Sequence, residues 1–180
     1  MKIAAILLSL LLWLPPPAYA LADWEEGAGD VVTAAVPLTA LVIAWQEDDN
    51  EGRQQWLWST TAGLAVNSAL RYGLKDTEWS TRPNGHPYGF PSGHTGFVAS
   101  GAAFLSERYG WRYGLPAWAA TGYVAYVRVE SEHHHWRDVI AGALVAYGVS
   151  RIFVTPQGSL EASPVIDEDK AGLQLTYRFS

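Results

Sequence analysis

All five histidines of the chain lie between positions 86 and 135, and the last three belong to a segment suited to catalysis. There, Arg128 is followed after five intervening residues by His134, and Asp138 lies four positions further on. At the start of a helix, positions i and i+4 share a face, so the Asp138 carboxylate can fix the tautomer of the imidazole. The other ring nitrogen is then free to act as a nucleophile. A solvated surface pair is an equally good interpretation of this segment taken alone.

Two earlier segments carry groups that bind anions. Lys75 and Arg82 are separated by six residues, and a proline follows Arg82, so both cations can reach one anion. Scattered surface cations would look the same. Ser92, Gly93 and His94 open an apolar stretch, and a helix starting there offers free N–H groups and the positive end of its dipole. Gly93 lets a ligand approach the backbone, and Ser92 adds a hydroxyl donor. A plain N-cap explains the serine but not the histidine.

Taken together, these segments supply cations, helix-start N–H groups and two histidines, which phosphoryl transfer requires when no metal takes part. Their order, spacing and placement resemble the three-part signature of the type-2 phosphatidic acid phosphatase superfamily, which includes bacterial acid phosphatases, lipid phosphatases and vanadium haloperoxidases. The resemblance covers residues 75–154. Val127 is one departure, because the family usually has Ser there. This change affects rate and substrate preference more than the type of reaction.

The resemblance implies a role for each residue of the signature. His134 would be the nucleophile that attacks phosphorus, and Asp138 would orient it. His94 would protonate the leaving oxygen and then act as the base when water hydrolyses the phosphohistidine. The phosphate oxygens would be held by the other residues of the signature: Lys75, Arg82, Ser92, Gly93 and Arg128.

The implied activity is the hydrolysis of phosphate monoesters, with no metal and no cofactor. The partner would be a phosphorylated small molecule or a lipid phosphate. Lipid is favoured because the segments 90–95 and 138–143 look more like those of the membrane-associated lipid phosphatases than those of the soluble acid phosphatases. Phosphotransfer to a second lipid, or hydrolysis of a polyprenyl or lipid diphosphate, is the alternative, since the intermediate is shared. Haloperoxidase chemistry ranks below both, because those chains are much longer.

A zinc-binding module is a competing interpretation from a different class. The triplet His133, His134 and His135 could ligate zinc together with Asp138 and His94, since imidazole and carboxylate suit this metal. The cations of the signature argue against it, because they would repel a metal ion. The two flanking histidines and His86 lack the family spacing, so we expect them at the solvent or at the rim of the site.

The composition and the first residues bear on compartment. The formal net charge is −6 and there is no basic run, which argues against nucleic acid as a partner. Lys2, an apolar stretch, three prolines and a small-x-small site ending at Ala20 predict a cleaved signal peptide over residues 1–20. An uncleaved anchor is the alternative. The absence of Cys fits an oxidising compartment. We therefore expect an exported, periplasmic protein.

Hydrophobic patterning predicts an all-α fold, a compact bundle of about five helices followed by a short C-terminal strand. The domain would span residues 21–160, with the motif core at 75–154, and the tail 161–180 would carry the strand, because apolar and polar residues alternate from Gly172 onward. The phosphate pocket would lie where the second-to-third and fourth-to-fifth helix connections meet. The five apolar stretches lie near Val31–Trp45, Trp56–Leu70, Ser92–Glu107, Leu115–Val129 and Asp138–Phe153.

Membrane placement follows from the same stretches. Each has about 15 residues, short of the ~20 that a bilayer core requires, which favours a periplasmic bundle on the inner-membrane surface. An integral protein with its site on the periplasmic side is the alternative, and Trp45 and Trp56 resemble interfacial anchors. Four aromatic residues near the motifs fit either a rim for a lipid stem or ordinary packing: Trp79, Tyr88, Phe90 and Trp136.

Overall fold

The computed structural model describes residues 21–158, 160–167 and 170–177, and the predicted signal peptide lies outside them. The predicted all-α bundle is confirmed. A short 3₁₀ turn at Glu78–Ser80 interrupts the connection after the second helix, and a two-stranded antiparallel hairpin follows the bundle. The helices are α1 (Leu21–Gln46), α2 (Asn50–Gly73), α3 (Gly93–Tyr109), α4 (Trp111–Glu130) and α5 (Trp136–Phe153), and the strands are β1 (Leu160–Asp167) and β2 (Lys170–Tyr177).

The first two helices are longer than their apolar stretches. Helix α2 begins at Asn50 because Asp49 caps it, its side chain accepting the Gly52 N–H at 2.8 Å. Polar residues therefore form its first turns, where hydrophobic periodicity gives no signal. Helix α1 includes a 23-residue segment, Trp24–Gln46, that is long and apolar enough to cross a bilayer. For this helix the predicted length of about 15 residues is wrong, and length no longer argues against a membrane.

Helix α3 forms the centre of the bundle and packs against the other four helices. It is buried on nearly all sides, so it lacks an apolar stripe of the kind seen on surface helices. Small residues allow the close approach. A Cβ on Gly101 would lie 2.7 Å from the backbone of Pro37 in α1, and a Cβ on Gly142 in α5 would lie 2.5 Å from the Ser92 carbonyl oxygen. The start of α3 is thus held directly against α5.

The outer face of the bundle exposes many large apolar side chains. So many exposed apolar side chains are typical of a membrane or partner interface rather than of a monomer in water. Trp45 is more than two-thirds exposed, whereas Trp56 packs partly against the core, so only the first of the two predicted anchors is free. The exposed side chains on three helices include Val31, Leu38 and Val42 of α1, Leu57, Trp58 and Leu64 of α2, and Ile140, Leu144 and Ile152 of α5.

The C-terminal strand prediction is confirmed in part. Strand β2 ends at Tyr177, and the rest of the predicted strand lies outside the described residues. Its partner β1 was not predicted, and the pairing runs from Leu160 opposite Tyr177 to Asp167 opposite Lys170.

Candidate active site

The α2–α3 and α4–α5 connections meet at one end of the bundle, which is where the sequence predicts the phosphate pocket. Three hydrogen bonds join these connections. The Ser92 N–H donates to the Asp138 carbonyl at 2.9 Å, and the Asn84 N–H donates to the Glu132 carbonyl at 3.3 Å. The third, at 2.7 Å, links the ring of His134 to the carbonyl of Gly89. Two of the three sequence segments are therefore brought into direct contact.

His134 is the buried histidine of the triplet, with only 3% of its side chain exposed. Its Nδ1 lies 2.7 Å from the Gly89 carbonyl oxygen, which can only accept a hydrogen bond. Nδ1 must therefore carry the proton, and the lone pair is left on Nε2. Burial lowers the pKa of His134 despite the opposing effects of Asp138 and Gly89. The ring is thus held neutral with a free nucleophilic nitrogen.

Asp138 is fully buried beside this ring. One of its oxygens, Oδ2, accepts the His135 N–H at 2.8 Å and lies 3.7 Å from His134 Nδ1, which is too far for a hydrogen bond. Burial raises the pKa of Asp138, but interactions with His134 and the His135 N–H outweigh it and hold the pKa below its usual value. The carboxylate therefore supplies negative charge near the ring, while the Gly89 carbonyl makes the closest contact.

The start of α3 presents His94 to the pocket. Ser92 caps this helix, with its Oγ accepting the Thr95 N–H at 3.4 Å, and its side chain is fully buried. Its predicted contact with phosphate stays a prediction. The side chain of His94 is about half exposed on the first turn. Burial lowers its pKa, and so do the neighbouring positive charges of Arg71 and Arg82 and the nearby histidines His134 and His133.

The three predicted cations occupy different environments. Arg128 is buried at the end of α4, and its Nε has no hydrogen-bond partner among the described residues. Arg82 is half-buried and donates to the Tyr88 carbonyl at 3.5 Å. Lys75 lies exposed in the turn after α2, with no hydrogen bond or ion pair to another described residue. The structure thus brings Arg82 and Arg128 close to the two histidines, Arg82 through its charge and Arg128 through Asp30, whereas the role of Lys75 stays a prediction.

Comparison with known proteins identifies the family of the chain. The PAP2 superfamily model matches residues 56–158, more than half of the chain. The chain belongs to the PAP2 superfamily. A lipid A 4'-phosphatase of Helicobacter pylori (strain J99 / ATCC 700824) is 30% identical over 170 residues, covering 86% of this chain and 83% of that protein. No solved structure matches. The predicted membership of the type-2 phosphatidic acid phosphatase superfamily is confirmed, and the chain is a phosphatase of that superfamily.

Two charged residues of the site were missed by the sequence analysis. Asp30 of α1 forms an ion pair with Arg128 Nη2, and its Oδ1 lies 3.3 Å from His94 Nε2. Arg71, in the last turn of α2, points its guanidinium at the start of α3: a Cβ on Gly93 would lie 3.3 Å from Nη1. The positive charge of Arg71 lowers the pKa of both His94 and Arg82. Neither residue belongs to a local motif.

The other three histidines are less buried than His134. His86 is exposed, and its backbone carbonyl accepts the Arg82 N–H at 2.9 Å. His133 Nδ1 lies 3.6 Å from Glu26 of α1, and His135 is the residue that precedes α5. Within the described part of the chain, no group of three or more His, Asp or Glu side chains is arranged to hold a metal ion.

Proposed function

We propose that this PAP2 phosphatase is exported and hydrolyses the phosphate monoester of a lipid through a phosphohistidine on Nε2 of His134. The observation that carries the proposal is the 2.7 Å contact between Nδ1 of this ring and the Gly89 carbonyl. It leaves Nε2 unprotonated, and Arg82 and Arg128 supply positive charge at the same end of the bundle. Nucleophile, cations and a second histidine, His94, are the groups that phosphoryl transfer needs.

The reaction proceeds in two displacements. In the first, Nε2 of His134 bonds to phosphorus while the bond to the ester oxygen breaks, and His94 donates a proton to that oxygen. In the second, His94 takes a proton from water as the water oxygen attacks phosphorus, and inorganic phosphate leaves with the His134 ring restored. The phosphorylated ring is cationic, and the Gly89 carbonyl and the Asp138 carboxylate stabilise it. Over the two steps, the proton that His94 donates to the ester oxygen is replaced by the one that it takes from water.

Fixed positive charge stabilises the transition state of both steps. Negative charge spreads over the three equatorial oxygens of the transferring group, so donors held in place before reaction lower the barrier. Arg128 suits this role because it is buried and keeps a free Nε–H. Arg82, Lys75 and the backbone at Gly93 complete the proposed cradle.

A lipid phosphate is the substrate class that the surroundings favour. The relative from Helicobacter pylori is a lipid A 4'-phosphatase. Trp79 and Phe90 stack edge to face beside the site, with ring centres 5.8 Å apart, and Trp136 is more than half exposed. These rings form an apolar rim suited to a lipid stem. Phosphotransfer to a second lipid would use the same pocket and intermediate.

The exposed tryptophans support a membrane location. Three lie at the active-site end of the bundle and two at the opposite end, with apolar side chains between them, which is the pattern of two interfacial belts. With the Trp24–Gln46 segment of α1, this favours placement at the inner membrane with the site on the periplasmic side. The first three are Trp24, Trp79 and Trp136, and the other two are Trp45 and Trp111.

The test is phosphate release from p-nitrophenyl phosphate and from phosphatidate in excess EDTA, comparing wild type with His134→Ala. We expect wild-type turnover with phosphatidate preferred, activity that sediments with membranes, and a loss of at least about 10⁴-fold in the variant. His86→Ala is the matched control, since its side chain is exposed, and it should retain full activity. The variant's thermal unfolding shows whether it is folded.

Two further measurements separate the proposal from its rivals. Rapid quenching of wild type should trap a phosphoryl group that is stable in base and lost in acid, as expected for a phosphorylated imidazole. Turnover that EDTA abolishes and zinc restores would instead favour the metal site. Release of phosphate only when an acceptor lipid is added would favour phosphotransfer.

A further inference from the structure

Asp30 occupies the place that the proposed mechanism gives to phosphate. Its Oδ1 contacts both the guanidinium of Arg128 and Nε2 of His94, the second at 3.3 Å. In the mechanism, Arg128 holds an equatorial oxygen of the phosphate and His94 protonates the leaving oxygen. A single carboxylate oxygen therefore lies between the two groups that the substrate must reach. Since one position cannot hold two anions, phosphate binding requires the Asp30 side chain to move away.

The surroundings of this ion pair allow such a movement. The Arg128 side chain is only 6% exposed, whereas that of Asp30 is 58% exposed. The carboxylate can thus turn into solvent while the guanidinium stays in place. Asp30 also leaves Arg128 incompletely satisfied, because the buried Nε–H has no partner among the described residues. A phosphate group, with more oxygens than a carboxylate, can accept from both sides of the guanidinium.

Displacing Asp30 has different consequences for substrate and product. The ester brings an apolar stem as well as its phosphate, so contacts away from the reacting centre offset the displacement. Inorganic phosphate has only its oxygens and must compete with the carboxylate directly. The carboxylate therefore weakens binding of free phosphate more than it weakens net binding of the ester.

We propose that Asp30 is a specificity-determining residue that competes with inorganic phosphate for Arg128 and His94, so that the product leaves readily and esters with an apolar stem are favoured. This inference rests on the proposed function, because it needs those two residues to bind phosphate. It gives α1, which carries none of the sequence motifs, a direct part in the site. Asp30 is not required for either displacement.

The test is equilibrium binding of inorganic phosphate to the purified full-length protein in detergent, measured by calorimetry for wild type and for Asp30→Asn. The substitution keeps the shape of the side chain and removes its charge. We expect phosphate to bind at least about tenfold more tightly to the variant, because it no longer has to break a charged contact. Glu25→Gln is the control, since it removes one negative charge from the same part of α1 near Tyr123 rather than from the pocket, and its affinity should match wild type.

The outcomes separate this inference from the proposed function. Equal or weaker phosphate binding by Asp30→Asn, with wild type binding normally, would overturn the inference and leave the phosphatase mechanism standing. An equal gain in the Glu25→Gln control would also overturn it, because the effect would then be general charge and not competition. Failure of phosphate to bind any of the proteins would overturn the site and the inference together. Steady-state kinetics should agree, with the inhibition constant of phosphate falling more than the KM of phosphatidate.

Discussion

Two arginine–carboxylate pairs lie at opposite ends of the helical bundle, and they differ in how completely the carboxylate is enclosed. At the far end, Arg108 and Asp49 have side chains that are 1% and 0% exposed. They form two parallel hydrogen bonds, Nη2 to Oδ1 at 2.6 Å and Nε to Oδ2 at 2.7 Å. At the active-site end, the Arg128 side chain is 6% exposed, but that of Asp30 is 58% exposed and contacts it through one oxygen. Only in the second pair can the carboxylate leave the arginine and move into solvent.

The far pair is completed by its neighbours. Asp49 also accepts the Tyr109 hydroxyl and the Gly52 N–H, each at 2.8 Å, and Arg108 donates to the Thr155 carbonyl at 2.9 Å. Burial raises the pKa of Asp49, but hydrogen bonds from Arg108, Gly52 and Tyr109 outweigh it and keep the pKa below its usual value. The cluster ties the α1–α2 turn and the segment after α5 to the end of α3. A fully paired, buried ion pair is a fixed structural contact. In a partly paired one, a ligand can replace the carboxylate.

The largest effect that tests this contrast is on stability. Asp49→Asn leaves the buried Arg108 charge with only the exposed Glu51 carboxylate, 3.7 Å from its Nη2, which should cost about 3–5 kcal/mol and lower Tm by roughly 6–20 °C. Asp30→Asn removes an exposed partner and should cost at most about 1 kcal/mol. Thermal and urea unfolding of both variants against wild type measure the difference.

Activity supplies the control for that comparison. Well below its Tm, Asp49→Asn should release phosphate at close to the wild-type rate, because the cluster lies at the opposite end of the bundle. An equal loss of stability in Asp30→Asn would contradict the distinction between a fixed structural ion pair at Arg108 and an exchangeable one at Arg128.

The next effect concerns the close contact between α5 and the start of α3 at the active-site end. A Cβ at Gly142 would lie 2.5 Å from the Ser92 carbonyl oxygen, and a backbone atom cannot yield as a flexible side chain does. Gly142→Ala should therefore cost about 1–3 kcal/mol and reduce kcat by shifting His94 relative to His134. Gly148→Ala on the same helix meets nothing within 4 Å and should be neutral or stabilising. Unfolding and kcat are measured for both, and equal behaviour would rule out this role for the contact.

The sequence predicts the site better where the functional residues are close together along the chain. His94, Arg128 and His134 stand out because their spacing within short segments limits the ways they can be arranged. Asp30 has no such neighbourhood: it meets Arg128 across 98 positions, and only the packing of α1 on α4 brings them together. The Gly89 carbonyl is a backbone atom, so no residue type marks it.

The predicted boundaries of the first two helices were wrong for a related reason. Periodicity detects apolar faces, and the first turns of α2 are polar and held by the Asp49 cap. Arg71 was missed because a cation in the last turn of a helix is ordinary by sequence alone. Its approach to Gly93 depends on how α2 crosses the start of α3.

The smallest effect is a shift in the pH profile, and it tests the surplus of positive charge at the active-site end. His134 must be neutral to attack, and its pKa is lowered by burial, so kcat/KM should fall as pH drops through that pKa. His94 must be protonated, and its pKa is also lowered, so kcat/KM should fall again as pH rises through it. The maximum should lie on the acid side of the ordinary histidine pKa of about 6.5.

Arg71→Gln tests the alkaline limb of that profile, because the charge of Arg71 contributes to lowering the pKa of His94. Removing it should raise that pKa and move only the alkaline limb to higher pH, whereas Arg71→Lys keeps the charge and should keep the profile. The substrate titrates identically in all cases, so differences between variants belong to the enzyme. Measuring kcat/KM for p-nitrophenyl phosphate from about pH 4 to about pH 8 decides the matter. A downward shift of the alkaline limb in Arg71→Gln would mean that His94 is not the acid.

The groups that face His94 and set its charge are Asp30 from α1, Arg71 from α2, Arg82 from the α2–α3 connection, and His133 and His134 from the α4–α5 connection.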